Sequence, residues 1–437
     1  MSDKTNLIIY WKTILLFLLI FLTWNCTERH RTNPFDPKGE VEQVIDLHLT
    51  PQSDSIHLEW ELTRPLEGFI GFRLYRSEGS PDEMRPYKVF SANQFSFTDT
   101  LIEQGEWYYY RMTILGKNGI ESVPSPVRKA LTGPGKAWIL SKYDERVYQI
   151  SYDLQHVARF FPIYTRPESW EIEAQDSLIW ICFNLYDNGV IRLNRHNGNL
   201  QYYYLDELQH AQDIAIDRRT NKIYILDSEI PAIFIFNGQT IIDTLTLPAD
   251  VHFMNVQFIP GESKLFLAGD RQALLMPLAP NGPGNTPIPY PPSFEAQDSE
   301  VIGDRIYLLV YSEEQQESHI YTYTTDGTLL DSLIYQGHLY KLATDWVDEH
   351  YYVAETQNGF EDFLLQLSFG GVRQFQVGGF RVITDIHINP FDRSVVVADG
   401  FTDNLVLINP QGTVLSQSHQ SDEQLNIEGP IGVYIEP

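Results

Sequence analysis

Cysteine is nearly missing from this chain: 437 residues carry only two. That count excludes a disulfide-framed scaffold and any multi-cysteine metal cluster. Cationic charge is also short. Lys and Arg total 31 against 58 Asp and Glu, a formal net charge of -27. Nucleic acid needs a basic surface to meet its phosphates, so it is set aside as a partner. The same deficit turns the folded part away from an anionic membrane surface. Helical amphipathic runs are missing between the apolar segments. HExxH, GxSxG and Walker-type motifs are absent, as are nucleotide-fold glycines. The histidines at 210, 252, 319, 338, 350 and 387 show no ligand-like spacing.

Aromatic residues are abundant. They make up 13% of the chain, with 25 Tyr and 24 Phe, inside a hydrophobic fraction of 43%. That mix suits β-strands and a real core, and it excludes disorder of the whole chain. At roughly 100–200 residues per domain, the length allows two or three domains.

The N-terminus reads as an export and anchoring segment, residues 1–25. Lys4 and Lys12 precede an apolar run from Ile14 to Trp24, and Cys26 follows Asn25. A basic region before a short apolar run is the pattern of a signal peptide. Eleven residues are too few to span a bilayer core of about 30 Å. The position of Cys26 resembles the lipidated cysteine of a bacterial lipoprotein signal. An uncleaved anchor and ordinary secretion are the alternatives. Residues 26–41 are polar, carry two prolines and a glycine, and read as a tether. The expected address is the bacterial cell envelope, with the membrane met only through the N-terminus. Cys182 lies in the apolar run Leu178–Phe183 and is expected to be a core thiol.

Residues 42–131 read as a small β-sandwich. Ser55–Leu62 alternates at period two, and Gly71–Arg76 and Glu106–Leu115 are further strands between turn-rich stretches. Trp60, Tyr75 and the stretch Tyr110–Ser122 resemble the fibronectin type III family. That resemblance implies a spacer or binding module. Tyr108 and Tyr110 are expected to pack rather than to hold a ligand.

Residues 135–437 repeat. The second strand of each unit begins at 137, 178, 223, 265, 306, 351 and 395, at intervals of 41, 45, 42, 41, 45 and 44. Such a period fits four short strands per unit and leaves little room for a crossover helix, with a stacked open solenoid as the runner-up. The first unit starts on its second strand, while Gly429–Glu436 reads as a first strand with nothing after it. The expected fold class is therefore all-β: a fibronectin type III-like sandwich followed by a closed β-propeller of seven four-stranded blades, with six as the alternative. Ile223–Asp227 and Val396–Asp399 resemble NHL and TolB-like propeller repeats.

Alignment on the second strand sets Glu171, Asp213, Asn255, Asp298, Asp345, Asp385 and Glu428 at one position before each first strand. Six of these seven are acidic. They would ring one mouth of a channel and attract a cation or a basic partner. Equally, each carboxylate could cap a turn by accepting backbone N–H bonds. The motifs require no cofactor and assign no catalytic residue; the ion that such carboxylates would suit is Ca2+. Two function classes remain. One is an exported, tethered interaction protein that binds a protein or glycan of the envelope on an acidic face. The other is a hydrolase resembling calcium-dependent propeller lactonases or esterases, with Asn255, Glu171, Asp213 and Asp298 as the nearest match.

Overall fold

The computed structural model describes Phe35 and residues 44–436, except 67, 118, 173–176, 185–186, 279–283, 358, 360, 421–424 and 426. The signal segment, Cys26 and nearly all of the tether lie outside the described residues. Among the described residues no helix is long and apolar enough to cross a membrane.

The chain divides into two compact units. One holds the chain to His48, Leu58–Phe97 and Tyr108–Lys129; the other holds Leu49–His57, Thr98–Trp107 and everything from Ala130. The N-terminal region is sandwich-like. A three-stranded sheet joins Ile45–Pro51, Ile56–Leu62 and Ser96–Asp99, and a four-stranded sheet runs Arg85–Ser91, Phe69–Glu78, Trp107–Gly116, Arg128–Leu131. Trp60 packs edge-on against Phe72 at 5.7 Å between ring centres and at a tilt against Phe90 at 4.9 Å. Tyr108 and Tyr110 are buried, as their alternating position requires.

From residue 135 onward the strands come in fours. Six sheets are each built from four consecutive strands. A further four-stranded sheet is built from two distant pieces. In it Pro430–Glu436 pairs with Lys136–Ser141, and Arg146–Ile150 and Val157–Pro162 follow. The second strands are apolar throughout because both faces are covered. In Lys222–Asp227, Ile223 and Ile225 pack with Trp180, Cys182 and Phe234, while Tyr224 and Leu226 pack with Val256, Leu265 and Leu274. One strand thus serves two apolar layers through its period of two.

The closed propeller, with seven blades or with six, is corrected by the pairing. Among the described residues each ladder stops at the edges of its own sheet. No sheet closes on itself or continues into the next. The region is a propeller-like series of open sheets joined by side chains. The sequence period reports how many strands recur. It carries no information on whether neighbouring edges exchange backbone hydrogen bonds.

Candidate functional site: the inner-strand cluster

The first strand of every sheet carries the same irregularity. The pairing register slips by one residue after Pro167, Ala211, Phe253, Ala296, Leu339, Ile383 and Pro430. A β-bulge of this kind re-aims the side chain that follows it. The residues directly beyond the slips are Ser169, Asp213, Asn255, Asp298, Lys341, Asp385 and Gly432. They form the true equivalent positions of the repeat.

Four of the sequence-derived residues therefore come together: Asp213, Asn255, Asp298 and Asp385. The other three stand off that position, Glu171 at the register that Glu300 and His387 occupy on their own strands. Glu171 lies two residues beyond Ser169 and pairs opposite Trp180. Asp345 closes its strand and accepts the backbone N–H groups of Val347 at 3.1 Å and Asp348 at 3.2 Å, as a turn cap. Glu428 precedes the last strand, and its own N–H donates to Asp144 at 2.8 Å. The alignment took the nearest carboxylate instead of a fixed spacing: Asp213, Asn255 and Asp385 stand ten residues before their second strands, as Lys341 does before Tyr351, whereas Asp345 stands six before it. Lys341, Ser169 and Gly432 were missed for the same reason.

The four residues stitch neighbouring sheets. Asp213 accepts from the Ser169 hydroxyl at 2.7 Å, from the Asn255 side-chain amide at 3.0 Å and from the Val256 N–H at 2.9 Å. Asn255 in turn accepts from the Ser299 hydroxyl at 2.7 Å. Asp298 accepts from the Leu342 N–H at 3.0 Å, and Asp385 from the Val433 N–H at 2.7 Å. Three aspartates on alternate sheets thus bind the same backbone position of the following sheet. Such bonds satisfy inner-edge N–H groups that no strand pairs.

Lys341 stands among them. Its ammonium lies 4.0 Å from Asp298. It is held above its usual pKa, first by Asp298 and, against the cost of burial, by Asp385 and Asp213 as well. About a third of its side chain (34%) stays accessible. Burial pushes Asp213 and Asp385 up to about 6, although Lys341 and the accepted N–H bonds pull them down. Two residues further along the same strands sit Glu300 and His387. Glu300 accepts from the Thr344 N–H at 2.8 Å, and burial raises its pKa to about 8. His387 is driven down to about 4 by burial and lies 5.0 Å from the Tyr434 ring. The cluster so combines a cation, titrating carboxylates, a carboxyl that is neutral at pH 7 and a neutral imidazole. Burial gave the signal for Glu300 and His387; their spacing in sequence carries none.

Among the described residues, no group of three or more His, Cys, Asp or Glu side chains stands together as metal ligands. The aspartate oxygens are engaged by N–H donors, and Lys341 supplies the positive charge between them. This donor set does not fit a calcium site. Cys182 is fully buried and its thiol is pushed up to about 12 by burial, which makes it a core residue.

No family model and no curated protein matches the chain. Solved structures do. A candidate 6-phosphogluconolactonase from Bacteroides fragilis aligns at a TM-score of 0.54 and 11% identity, over 69% of this chain and 98% of that one. One from Bacteroides uniformis aligns at 0.53 and 11% identity, over 69% and 99%. A protein of unknown function from Desulfotomaculum acetoxidans aligns at 0.52 and 10% identity, again over 69% and 99%. At such identities the likeness is one of fold, and the fold is propeller-like.

Proposed function

We propose that the propeller-like unit hydrolyses a lactone or ester at the inner-strand cluster. The observation that carries this reading is Lys341 at 4.0 Å from Asp298, in the field of Asp385, beside strands that carry Glu300 and His387. The names of the two Bacteroides proteins lend it support from fold likeness. In the reaction, the Asp385 carboxylate takes a proton from water as the water oxygen bonds to the carbonyl carbon. The Lys341 ammonium stabilises the oxyanion that forms. The C–O bond to the leaving alkoxide then breaks, and the neutral Glu300 carboxyl donates its proton to that oxygen. A base near 6 and an acid near 8 are matched to work at pH 7. A panel of neutral lactones and esters, followed by proton release with the full chain, tests the reading. Turnover that Lys341→Met abolishes is expected; no turnover on any member would reject it.

A second reading is favoured by one observation: the aspartates of the cluster are occupied in holding sheets together. On that reading the molecule is a tethered interaction protein of the cell envelope, with the sandwich-like region as a fibronectin type III-like spacer. Lipid attachment at Cys26 would hold it to the membrane. Cys26→Ser should then move the protein out of the membrane fraction, and capture from native envelope should return one recurrent protein or glycan.

A further inference from the structure

A hydroxyl, an imidazole and an amide meet outside the inner-strand cluster. Asn184 follows the second strand Leu178–Phe183, His210 precedes the inner strand Ala211–Asp217, and Ser228 follows the second strand Lys222–Asp227. The His210 Nδ1 is hydrogen-bonded to the Ser228 hydroxyl. Its Nε2 lies 2.6 Å from the Asn184 side-chain amide. All three side chains are half-buried. A nucleophile bonded to a base, with a third group on the far side of the base, is the arrangement that activates a hydroxyl.

The backbone fixes the pair. The Ser228 N–H donates to the His210 carbonyl at 3.0 Å, one step beyond the Ala211–Asp227 pair of the ladder. Buried Asp227 accepts from the N–H groups of Gln209 at 2.7 Å and His210 at 2.9 Å. It also accepts from Glu229 at 2.9 Å and Ile230 at 2.8 Å. One carboxylate thus holds both the stretch with His210 and the turn with Ser228, so the two side chains are oriented before any ligand arrives. Ser228 also lines a cavity of about 350 Å³. Leu247 and Phe253, both buried, give it an apolar floor. Glu229, Asp250 and Asp270 line it against a single guanidinium, that of Arg271.

We propose that Ser228 is the nucleophile of an acyl-transfer site, with His210 as its base and Asn184 as the residue that positions the imidazole. A half-turn of the Asn184 amide gives up its long 3.4 Å contact to the Ala211 carbonyl and brings its oxygen to Nε2–H. Nδ1 then takes the Ser228 proton as the serine oxygen bonds to the acyl carbon. The bond to the leaving sulfur breaks, and the imidazolium returns the proton to the thiolate. Water repeats the sequence on the acyl-serine and releases the acid. The N–H groups of Ser228, Glu229 and Ile230 are engaged by His210 and Asp227, so the turn's backbone offers the oxyanion no donor. Arg271 is left for that role, and an activated acyl donor such as a thioester suits so spare a site. The apolar floor and the excess of carboxylates select a short, uncharged one. This proposal is independent of the hydrolase reading.

Covalent labelling of the full chain tests it. The probes are an uncharged fluorophosphonate and the butyryl thioester of N-acetylcysteamine, each read by peptide mass mapping. One adduct, on Ser228, is expected. Because the adduct is mapped to its residue, the result is separate from hydrolysis at the inner-strand cluster. Ser228→Ala should remove it, and His210→Gln should slow it about 10²–10⁴-fold, the usual worth of a positioned base. Asn184→Asp keeps an acceptor for Nε2–H and should label at least as fast as the parent. Asn184→Leu should label about tenfold more slowly or worse, as loss of the group that sets the tautomer does. Thermal unfolding at the parent temperature confirms that the variants are folded. No adduct, an adduct on another residue, or equal labelling of His210→Gln and the parent would overturn the site. Equal labelling of Asn184→Leu would overturn the positioning role.

Discussion

Trp138 donates its indole N–H to Glu436 at 2.7 Å, joining residues 298 positions apart. The same carboxylate accepts from Gln149 at 3.0 Å and from Arg195 at 3.2 Å. Arg195 is 2% exposed and Trp138 fully buried. One side chain on the last strand thus ties that strand to the first sheet and to the sheet beside it.

Replacing Glu436 with Ala removes the shared acceptor of a buried cation and an indole. The expected loss is about 2–4 kcal/mol. Glu436→Gln keeps an acceptor for Trp138 and should cost less. Thermal unfolding of both variants checks the order. Removing residues 430–437 is more severe, because Val433 and Ile435 are buried at about 1.5–3 kcal/mol each. The shortened chain should aggregate or bind a hydrophobic dye.

Asp345 separates capping from ligand chemistry. It is buried and serves two turn N–H groups, so Asp345→Ala should cost about 1–3 kcal/mol. Catalysis should be untouched in the folded variant. A fall in kcat/KM without a fall in Tm would contradict the assignment.

Much of this was legible in the sequence and some was not. The strand period located every second strand because those strands are buried on both faces and apolar throughout. The pairing of the C-terminal strand with Lys136–Ser141 followed from counting strands. The cluster was only partly legible. A search for carboxylates passes over a lysine, so Asp345 was aligned where Lys341 stands, although Lys341 keeps the ten-residue spacing of Asp213, Asn255 and Asp385. Glu300 and His387 derive their chemistry from burial, which an isolated residue type does not reveal.

Stability should depend on pH through the cluster. A carboxyl with a raised folded pKa binds its proton more tightly in the fold. Its contribution is full below the unfolded value and is lost as pH rises through the folded value. Asp213 and Asp385 rise from 3.8 to about 6, and Glu300 from 4.5 to about 8. His387 works in the opposite sense between 6.5 and about 4, because its neutral form is favoured in the fold. From pH 6.5 to 8 the Glu300 contribution stands alone among these four. Tm of the parent minus Tm of Glu300→Gln should fall across that window. A flat difference would show that Glu300 is ionised in the fold.

Lys341 and Asp298 should be coupled. Both remain partly accessible, so a double-mutant cycle with Lys341→Met and Asp298→Asn should give about 0.5–1 kcal/mol. The coupling should shrink in high salt. Strict additivity would place the ammonium away from Asp298.

The most direct measurement is the pH profile of kcat/KM on the best lactone found, for the parent and for Glu300→Gln. The account predicts a bell for the parent, rising near pH 6 as Asp385 ionises and falling near pH 8 as Glu300 loses its proton. Glu300→Gln should reduce the maximum about 10²–10⁴-fold, the usual worth of a positioned acid, and abolish the high-pH limb. An unchanged profile in Glu300→Gln, or no hydrolysis by the parent at any pH, would contradict it.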